Sequence, residues 1–357
     1  MKTYIKFLIS LYNISFLKVF IVFFIIVLVT NILEQIEFFK NINLNFFYLI
    51  LLSFLNTPSI LFEIFPFIFL LSTQIFFTKL IDSNELEIFK YSGLNNLKII
   101  KIISVYSLLL GFIFIIFFYN ISAVLKNSYL TIKNKYSDEG KYLAVITENG
   151  LWIKDEINGK TNIINANRVD DKFLLNVSIT QLNKKYDVIN VIQSDKVDIS
   201  SYNWEIIKPV ILGKSKEKIP EKIILLSNFD LKKINSLFSN LSSLTFIDLF
   251  KLRKSYKALN YSLIEIDSHL YKIVSYPIFL TLITILASII MLNIGFQKNP
   301  ILNITLGIFL SVIIYYINYF FNVLGANEKI PLFLSIFMPL ILLSIINFTS
   351  IIKIDEK

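Results

Sequence analysis

Few residues in this chain are equipped for bond-making chemistry. There is one histidine, His269, and no cysteine among 357 residues. Thiolate nucleophiles, thiolate metal sites, disulfides and multi-histidine metal centres are therefore excluded. A Ser-His-Asp hydrolase would have to be assembled on His269, which sits with Asp267 and Lys272 just ahead of an apolar run. A role at the level of lipid headgroups suits that place better. Gly159-Lys160-Thr161 looks like the end of a phosphate-binding loop, but the first glycine of such a loop would fall at position 154, which is Lys154. Asn158-Gly159 reads instead as a hairpin turn. With no nucleotide-binding motif of its own, the chain is expected to bind no cofactor and to be no enzyme.

Residues suited to recognition remain. The segment Asp82-Ser83-Asn84-Glu85-Leu86-Glu87-Ile88-Phe89-Lys90-Tyr91-Ser92-Gly93 predicts a short helix. Asp82 is placed to cap it, Glu85 follows at capping-box spacing, and Gly93 is a natural terminator. Leu86, Phe89 and Lys90 fall at i, i+3 and i+4, on one face. Such an element is either a cap with an interfacial turn or a helix that docks into a soluble partner. Glu63 interrupts an apolar run and is either a functional acid or a residue of the outer interface. Lys40 is a candidate phosphate contact or an interfacial anchor. Trp152 reads as core of a β domain, with a lipid contact as its other reading.

The elements that hold these residues follow from where charge is missing. Val19–Leu33, Ile42–Thr78, Ile102–Leu125, Ile273–Gln297, Asn299–Asn327 and Ile330–Ile352 are nearly uncharged. About 20 apolar residues cross a bilayer as helix. The first run reaches that length as Leu11–Leu33 if Lys18 snorkels to the interface. The chain is 55% hydrophobic and 17% charged, with mean hydropathy +0.65, against roughly 25% charged for soluble domains. Its 34 Phe match a general bias of the sequence and are no sign of a binding surface. The fold class expected is a polytopic α-helical membrane protein with three spans, an inserted all-β domain and three more spans. Domain limits are 1–125 with the short helix at 82–93, 126–260 for the β domain and a helical connector, and 261–357. Met1–Asn13 is amphipathic and predicts an interfacial helix feeding the first span.

With the N-terminus inside, the short cytoplasmic segments carry Lys2, Lys6, Lys79, Lys90, Lys98, Lys101, Lys298, Lys353 and Lys357. The short outer loops carry only Lys40 and Lys329. The positive-inside rule then puts both ends in the cytoplasm and the polar block Lys126–Asp267 outside. It also accounts for the net charge of +9 without nucleic acid. Within the block, Leu143–Ile153, Thr161–Arg168, Leu174–Leu182, Asp187–Gln193 and Trp204–Leu212 read as strands of a sandwich, jelly roll or open barrel. From Asp230 the period turns helical.

Several motifs together resemble the lipopolysaccharide-export permeases of the LptF/LptG type. Pro58 and Pro66 punctuate the second span, and Glu85-Leu86 and Ser92-Gly93 follow at the family's spacing. Asn149-Gly150-Leu151-Trp152-Ile153-Lys154-Asp155 is similar to its Gly-Leu-Trp-x-(Lys/Arg)-Asp signature, in the form closer to LptG than to LptF. Lys272-Ile273-Val274-Ser275-Tyr276-Pro277 opens the fourth span as its Lys-Ile-x-x-Pro entry does, and Ile330-Pro331 and Pro339 punctuate the sixth. The resemblance covers nearly the whole chain and implies a permease in the bacterial inner membrane. Such a permease extracts lipopolysaccharide and passes it through a periplasmic jelly roll to a bridge. It implies a heterodimer with an LptF-like paralogue, a cytoplasmic LptB-like ATPase dimer that consumes the ATP, and LptC- and LptA-like bridge proteins. It assigns Glu85, Leu86, Phe89 and Gly93 to the ATPase contact. Phe24, Val27 and Phe309, on helices 1 and 5, would line the lipid cavity, with Lys40 and Trp152 as further substrate contacts. One departure stands out: Glu34 lies where the family often has a basic residue at the outer end of helix 1. Other readings are the LptF paralogue of the same complex, a mechanotransmission-type permease, and a non-transporting scaffold or sensor whose outer domain binds a protein.

Overall fold

Side chains that are apolar at almost every position leave a backbone in lipid no water to bond, so each run closes its own hydrogen bonds as helix. The computed structural model describes residues 3–40, 42, 45–134, 136, 151–157, 160–170, 172–212, 221–231, 234, 240–258, 262–292 and 300–355. Among them are six helices long and apolar enough to cross a membrane. The chain divides into two compact units, 1–126 with 264–357, and 127–263.

The membrane unit is helical. It comprises α1 (Thr3–Phe38), α2 (Phe46–Asp82), the short α3 (Glu85–Tyr91), α4 (Asn96–Ile113), α7 (Ile264–Leu292), α8 (Pro300–Ala326) and α9 (Leu332–Asp355). A π-helical turn, Phe114–Tyr119, continues α4 into α5 (Asn120–Asn134), whose residues from Asn127 on belong to the second unit. The expected interfacial helix at the N-terminus is not a separate element. Nothing in Met1–Asn13 breaks a helix, and Leu8 and Tyr12 are fully buried in the bundle, so α1 runs unbroken from Thr3.

The core of this unit is aromatic. Phe16, Phe65, Phe69, Phe76 and Phe77 cluster with Ile99, Ile103, Leu280 and Met291. The Phe65 ring stacks on Phe114 with centroids 4.5 Å apart and meets Phe118 edge-on at 4.9 Å. Where backbones must approach, small residues allow it. A Cβ on Gly111 would lie 2.8 Å from the Pro277 Cα, so α4 and α7 touch main chain to main chain there. Polar residues link helices across the apolar packing: Asn56 Nδ2 donates to Asn31 Oδ1 at 2.9 Å, and Asn347 Nδ2 to the Leu282 carbonyl at 2.9 Å. Asn347 thus makes a hydrogen bond between two helices.

The second unit carries the inserted, jelly-roll-like β domain. Its strands are β1 (Leu151–Ile157), β2 (Lys160–Asp170), β3 (Phe173–Leu182), β4 (Val188–Asp198), β5 (Asn203–Ile207), β6 (Val210–Leu212) and β7 (Lys222–Leu226). They form one antiparallel sheet in the order β1-β2-β3-β4-β5-β7, with β6 also on β4. The strands differ from the sequence reading in several places, among them β4, which runs five residues past the expected Gln193 to Asp198. The first expected strand began at Leu143, but residues 143–150 lie outside the described residues, and β1 starts at Leu151. The single strand expected over Trp204–Leu212 is two, because Lys208 takes φ +49° and Pro209 has no N–H to give the ladder. Lys222–Leu226 is a strand the sequence reading left out. Asn158-Gly159 and part of the helical stretch expected from Asp230, residues 232–233 and 235–239, also lie outside the described residues, while its later part, from Phe246 to Leu252, is helix. Gly159 aside, the loop-like triplet gives Lys160 and Thr161 to a β-strand, which no phosphate loop would do.

The sheet closes on itself through one carboxylate. Asp155 is fully buried on β1. It accepts hydrogen bonds from Ser227 Oγ at 2.8 Å, the Asn228 N–H at 3.1 Å and Asn228 Nδ2 at 2.8 Å, all just past β7. The first strand is thereby tied to the last, and Trp204 fixes the same crossing segment by donating to the Phe229 carbonyl at 2.7 Å. After β7 the chain forms α6 (Phe246–Ala258), capped by Thr245, whose hydroxyl accepts from the Asp248 N–H at 3.3 Å and bonds the Asp248 carboxylate at 2.6 Å. That hydroxyl bond first, and then Lys251, hold the Asp248 carboxyl below the usual range.

Candidate functional site

Two regions of the membrane unit gather the residues singled out by sequence. The first is α3. Its start differs from the expected capping box: Asp82 still belongs to α2, and the cap is Asn84 in the left-handed conformation (φ 58°) with no side-chain hydrogen bond. Its end is a Schellman motif. The Leu94 N–H reaches the Phe89 carbonyl at 2.9 Å and the Gly93 N–H reaches Lys90 at 3.0 Å. Gly93 sits at φ +83°, where a residue without a Cβ costs least. Lys98 then donates to the Gly93 carbonyl at 3.2 Å.

This framing decides which side of α3 is available. Leu86 is 3% exposed and belongs to the bundle core, so it anchors the helix. Phe89 is half-buried, with its ring 5.9 Å from that of Phe7 on α1. Glu85, Ile88 and Phe89 line an open apolar groove of about 380 Å³ together with Thr3, Tyr4 and Phe7. Ile88 is 59% exposed and Tyr91 88% exposed. The sequence reading passed over these last two because they lie off the Leu86-Phe89-Lys90 face. A large aromatic one residue before the helix cap was the available signal.

The second region is the outward wall of α1 and α8. Only 22% of the most apolar stretch of α1 and 11% of that of α8 are buried, against 56% for α2 and α7. Phe309 is exposed on α8. Phe24 is half-buried, between Phe20 and an edge-on Phe54 at 6.0 Å. Val27, by contrast, is buried at 6% exposure and faces the bundle; Ile25, Ile26 and Val29 are the exposed positions beside it. Lys40 is exposed in the turn that ends α1, its N–H bonded to the Glu37 carbonyl at 3.4 Å. Trp152 is not a core residue, for it is 56% exposed while Trp204 fills the β-domain interior.

The remaining polar residues form a third cluster in this unit. Glu63 is exposed and within electrostatic reach of Lys126 on α5 and Lys272 on α7. The Tyr119 hydroxyl and His269 Nε2 are 3.1 Å apart. His269 is thus tied into an interhelical contact with Tyr119.

No curated protein matches the chain. A family profile does, over residues 6–353, and its description is "Lipopolysaccharide export system permease LptF/LptG". That match spans the membrane helices and the β domain alike, so the chain belongs to the LptF/LptG family of lipopolysaccharide export permeases.

Proposed function

We propose that this chain is the permease subunit of an ABC-type lipopolysaccharide exporter, driven by ATP hydrolysis on a separate cytoplasmic subunit. It would extract the lipid from the inner membrane and hand it to a periplasmic bridge. Both termini lie in the cytoplasm and the β domain in the periplasm in this reading, as the distribution of lysines in the short loops supports. The observation that carries the reading is α3. It is a short helix fixed from behind by Leu86, closed by Gly93, and presenting Ile88 and Tyr91 beside an apolar groove. A helix locked to the bundle on one side and open on the other transmits a push from a partner as a rigid-body displacement. A scaffold without an energy source has no use for one.

The uncovered faces of α1 and α8 support a second contact, with a paralogous permease across a lipid cavity. Acyl chains are stabilised by such a wall at about 0.8 kcal/mol per buried CH₂. Lys40, at the outer end of α1, is placed to meet a phosphate. The Gly-Leu-Trp-Ile-Lys-Asp run supports the LptG-like member of the pair, with an LptF-like partner and LptC- and LptA-like bridge proteins downstream. Purification in mild detergent tests the reading. An ABC ATPase and a second six-span permease should copurify in stoichiometric amounts. Recovery of the chain alone or with a sensor kinase would overturn it.

A further inference from the structure

Two lysines of the membrane unit have no part in the transport reading, Lys18 on α1 and Lys79 on α2. Two hydrogen bonds fix how these helices lie side by side. Lys79 Nζ donates to Ser15 Oγ at 3.3 Å, and Asn56 Nδ2 donates to Asn31 Oδ1 at 2.9 Å. The helices therefore run antiparallel, with Ser15 level with Lys79 and Asn31 level with Asn56. The Ser15 hydroxyl donates its own proton to the Leu11 carbonyl at 3.0 Å, which leaves its lone pairs for the ammonium group. Lys79 is thereby drawn towards α1. Lys18 stands three residues after Ser15, one turn on and on the same face. It is exposed and within electrostatic reach of Lys79. Among the described residues neither lysine is paired with a carboxylate.

Both lysines close an uncharged stretch of the same length. On α1 there is no charge over 19–33, between Lys18 and Glu34, and on α2 none over 64–78, between Glu63 and Lys79, fifteen residues in each case. Fifteen residues make about 22 Å of helix, against a hydrocarbon core of roughly 30 Å. Both stems therefore reach out of the hydrocarbon into one headgroup layer, at the α3 end of the bundle. Two like charges held about a turn apart beside lipid repel each other, and an anion between them turns that repulsion into attraction. The anion that a bilayer offers at this depth is a lipid phosphate, and basic pockets between membrane helices take such headgroups. One turn deeper on α1, Ile21, Val22 and Ile25 are exposed and give an acyl chain a wall to lie on. We propose that Lys18 and Lys79 together form a headgroup site for an anionic glycerophospholipid, whose phosphate bridges the two ammonium groups at the α3 end of α1 and α2. The site asks only that these two helices cross a bilayer, so it holds whether or not the chain exports lipopolysaccharide.

The absence of native cysteine makes the test direct. The full-length protein carrying Val22→Cys is labelled with a fluorophore and placed in phosphatidylcholine nanodiscs. The discs are doped with either phosphatidylglycerol or phosphatidylcholine that bears a spin label on its acyl chain. Phosphatidylglycerol should be the better quencher, by roughly fivefold in apparent affinity for each lysine. Lys18→Gln or Lys79→Gln should each remove about that factor, and the two together should bring the lipids to parity. Lys18→Arg with Lys79→Arg should keep the preference. Lys18 is exposed, so Lys18→Gln alone still gives its graded loss if the double variant inserts poorly. A label at Ile345→Cys, exposed on α9, should see the two lipids equally. Parity in the native protein, a preference that survives the double Gln variant, or the same preference at position 345 would each overturn the proposal. So would loss of the preference in excess inorganic phosphate, which would make the occupant a free anion. Displacement by lipopolysaccharide more readily than by unlabelled phosphatidylglycerol would assign the lysines to the transport path instead, and would overturn it too.

Discussion

The hydroxyl of Tyr276 donates to the backbone carbonyl of Phe62. That carbonyl lies four residues before Pro66, which has no N–H to offer it, so α7 supplies from the side the hydrogen bond that α2 lacks along its own axis. The two residues are also in ring contact, stacked at 4.6 Å. Removing the hydroxyl should therefore cost more than an ordinary surface bond. Tyr276→Phe is expected to lower stability by about 1–3 kcal/mol, through an unsatisfied buried acceptor. In the background of Pro66→Ala, which restores the N–H, the same change should cost little. A double-mutant cycle read by unfolding in mixed micelles decides this; additive losses would show that the carbonyl is satisfied some other way.

Gly93 offers a sharper separation of folding from coupling. A Cβ there would meet nothing within 4 Å, so any penalty must come from φ +83° alone. Gly93→Ala should cost about 1–2 kcal/mol, felt locally as loosening of the Schellman motif and of α3. Gly93→Asn, which tolerates that conformation, should recover most of it. If α3 is the ATPase contact, recovery of the copurifying ATPase will follow the same order, native above Asn above Ala. An ATPase yield indifferent to position 93 argues against α3 as the contact.

The two sides of α3 predict opposite phenotypes. Leu86→Ala opens a cavity in the core and should cost about 2–5 kcal/mol of stability. Ile88→Glu and Tyr91→Ala change exposed positions and should leave the melt within about 0.5 kcal/mol of native while lowering lipid release. Glu85→Ala belongs with the second group, since the half-buried carboxylate lines the groove. Lipid release measured per inserted permease separates these outcomes, and normal release in Ile88→Glu, Tyr91→Ala and Glu85→Ala alike would return α3 to the role of a turn.

In the β domain, Asp155→Ala should strand the donors of Ser227 and Asn228 and cost several kcal/mol, because charge-assisted bonds are worth about 1.5–3 kcal/mol each when broken one-sidedly. The chain has two tryptophans, and Trp152 is exposed while Trp204 is buried. With Trp152→Phe as the parent, the emission of Trp204 reports on the crossing segment alone. A red shift on adding Asp155→Ala is expected; unchanged emission would mean that the sheet closes without this staple.

What could be read in advance divides by the strength of the physical constraint. A bilayer demands long uninterrupted apolar runs, so the six spans are visible in the sequence, although the first, third and fourth helices extend six to nine residues beyond the apolar runs where polar residues carry them on. The end of α3 was visible too, because Gly93 is one of the few residues that suit its backbone. Its start was not. Asp82 has cap chemistry, but α2 simply continues through it, and an Asn in the left-handed conformation does the work two residues later. In β1 the side chains of Leu151, Ile153 and Asp155 are buried and Trp152 stands outward, and the acid on the inner face breaks the apolar alternation that would have shown this in the sequence. Asp155 itself could be noticed only as part of a motif, since its three donors come from residues more than seventy positions away. Ile88 and Tyr91 were hidden for the opposite reason: exposure in a short helix depends on what the helix packs against, which sequence spacing alone does not fix.

The wall formed by α1 and α8 makes the last prediction, and its own exposure pattern supplies the control. If the uncovered faces of these helices line a lipid cavity, photo-crosslinkers at Phe309 on α8 and Ile25 on α1 should capture lipopolysaccharide during turnover. One at Val27, two residues further on but buried against the bundle, should not. The contrast matters because any lipid-facing position can react with phospholipid. The expected result is therefore enrichment of lipopolysaccharide over phospholipid at positions 25 and 309, lost when ATP is withheld. Lys40 stands exposed just beyond α1, where a partly desolvated ammonium–phosphate pair can be worth about 1.5–3 kcal/mol. Lys40→Glu, next to Glu34 and Glu37, would turn that rim uniformly acidic and should reduce the adducts roughly tenfold or more, by 1.4 kcal/mol per factor of ten. Adducts unchanged by Lys40→Glu would leave Lys40 as an interfacial anchor. Adducts confined to α4 and α9 would place the lipid path on the other side of the bundle.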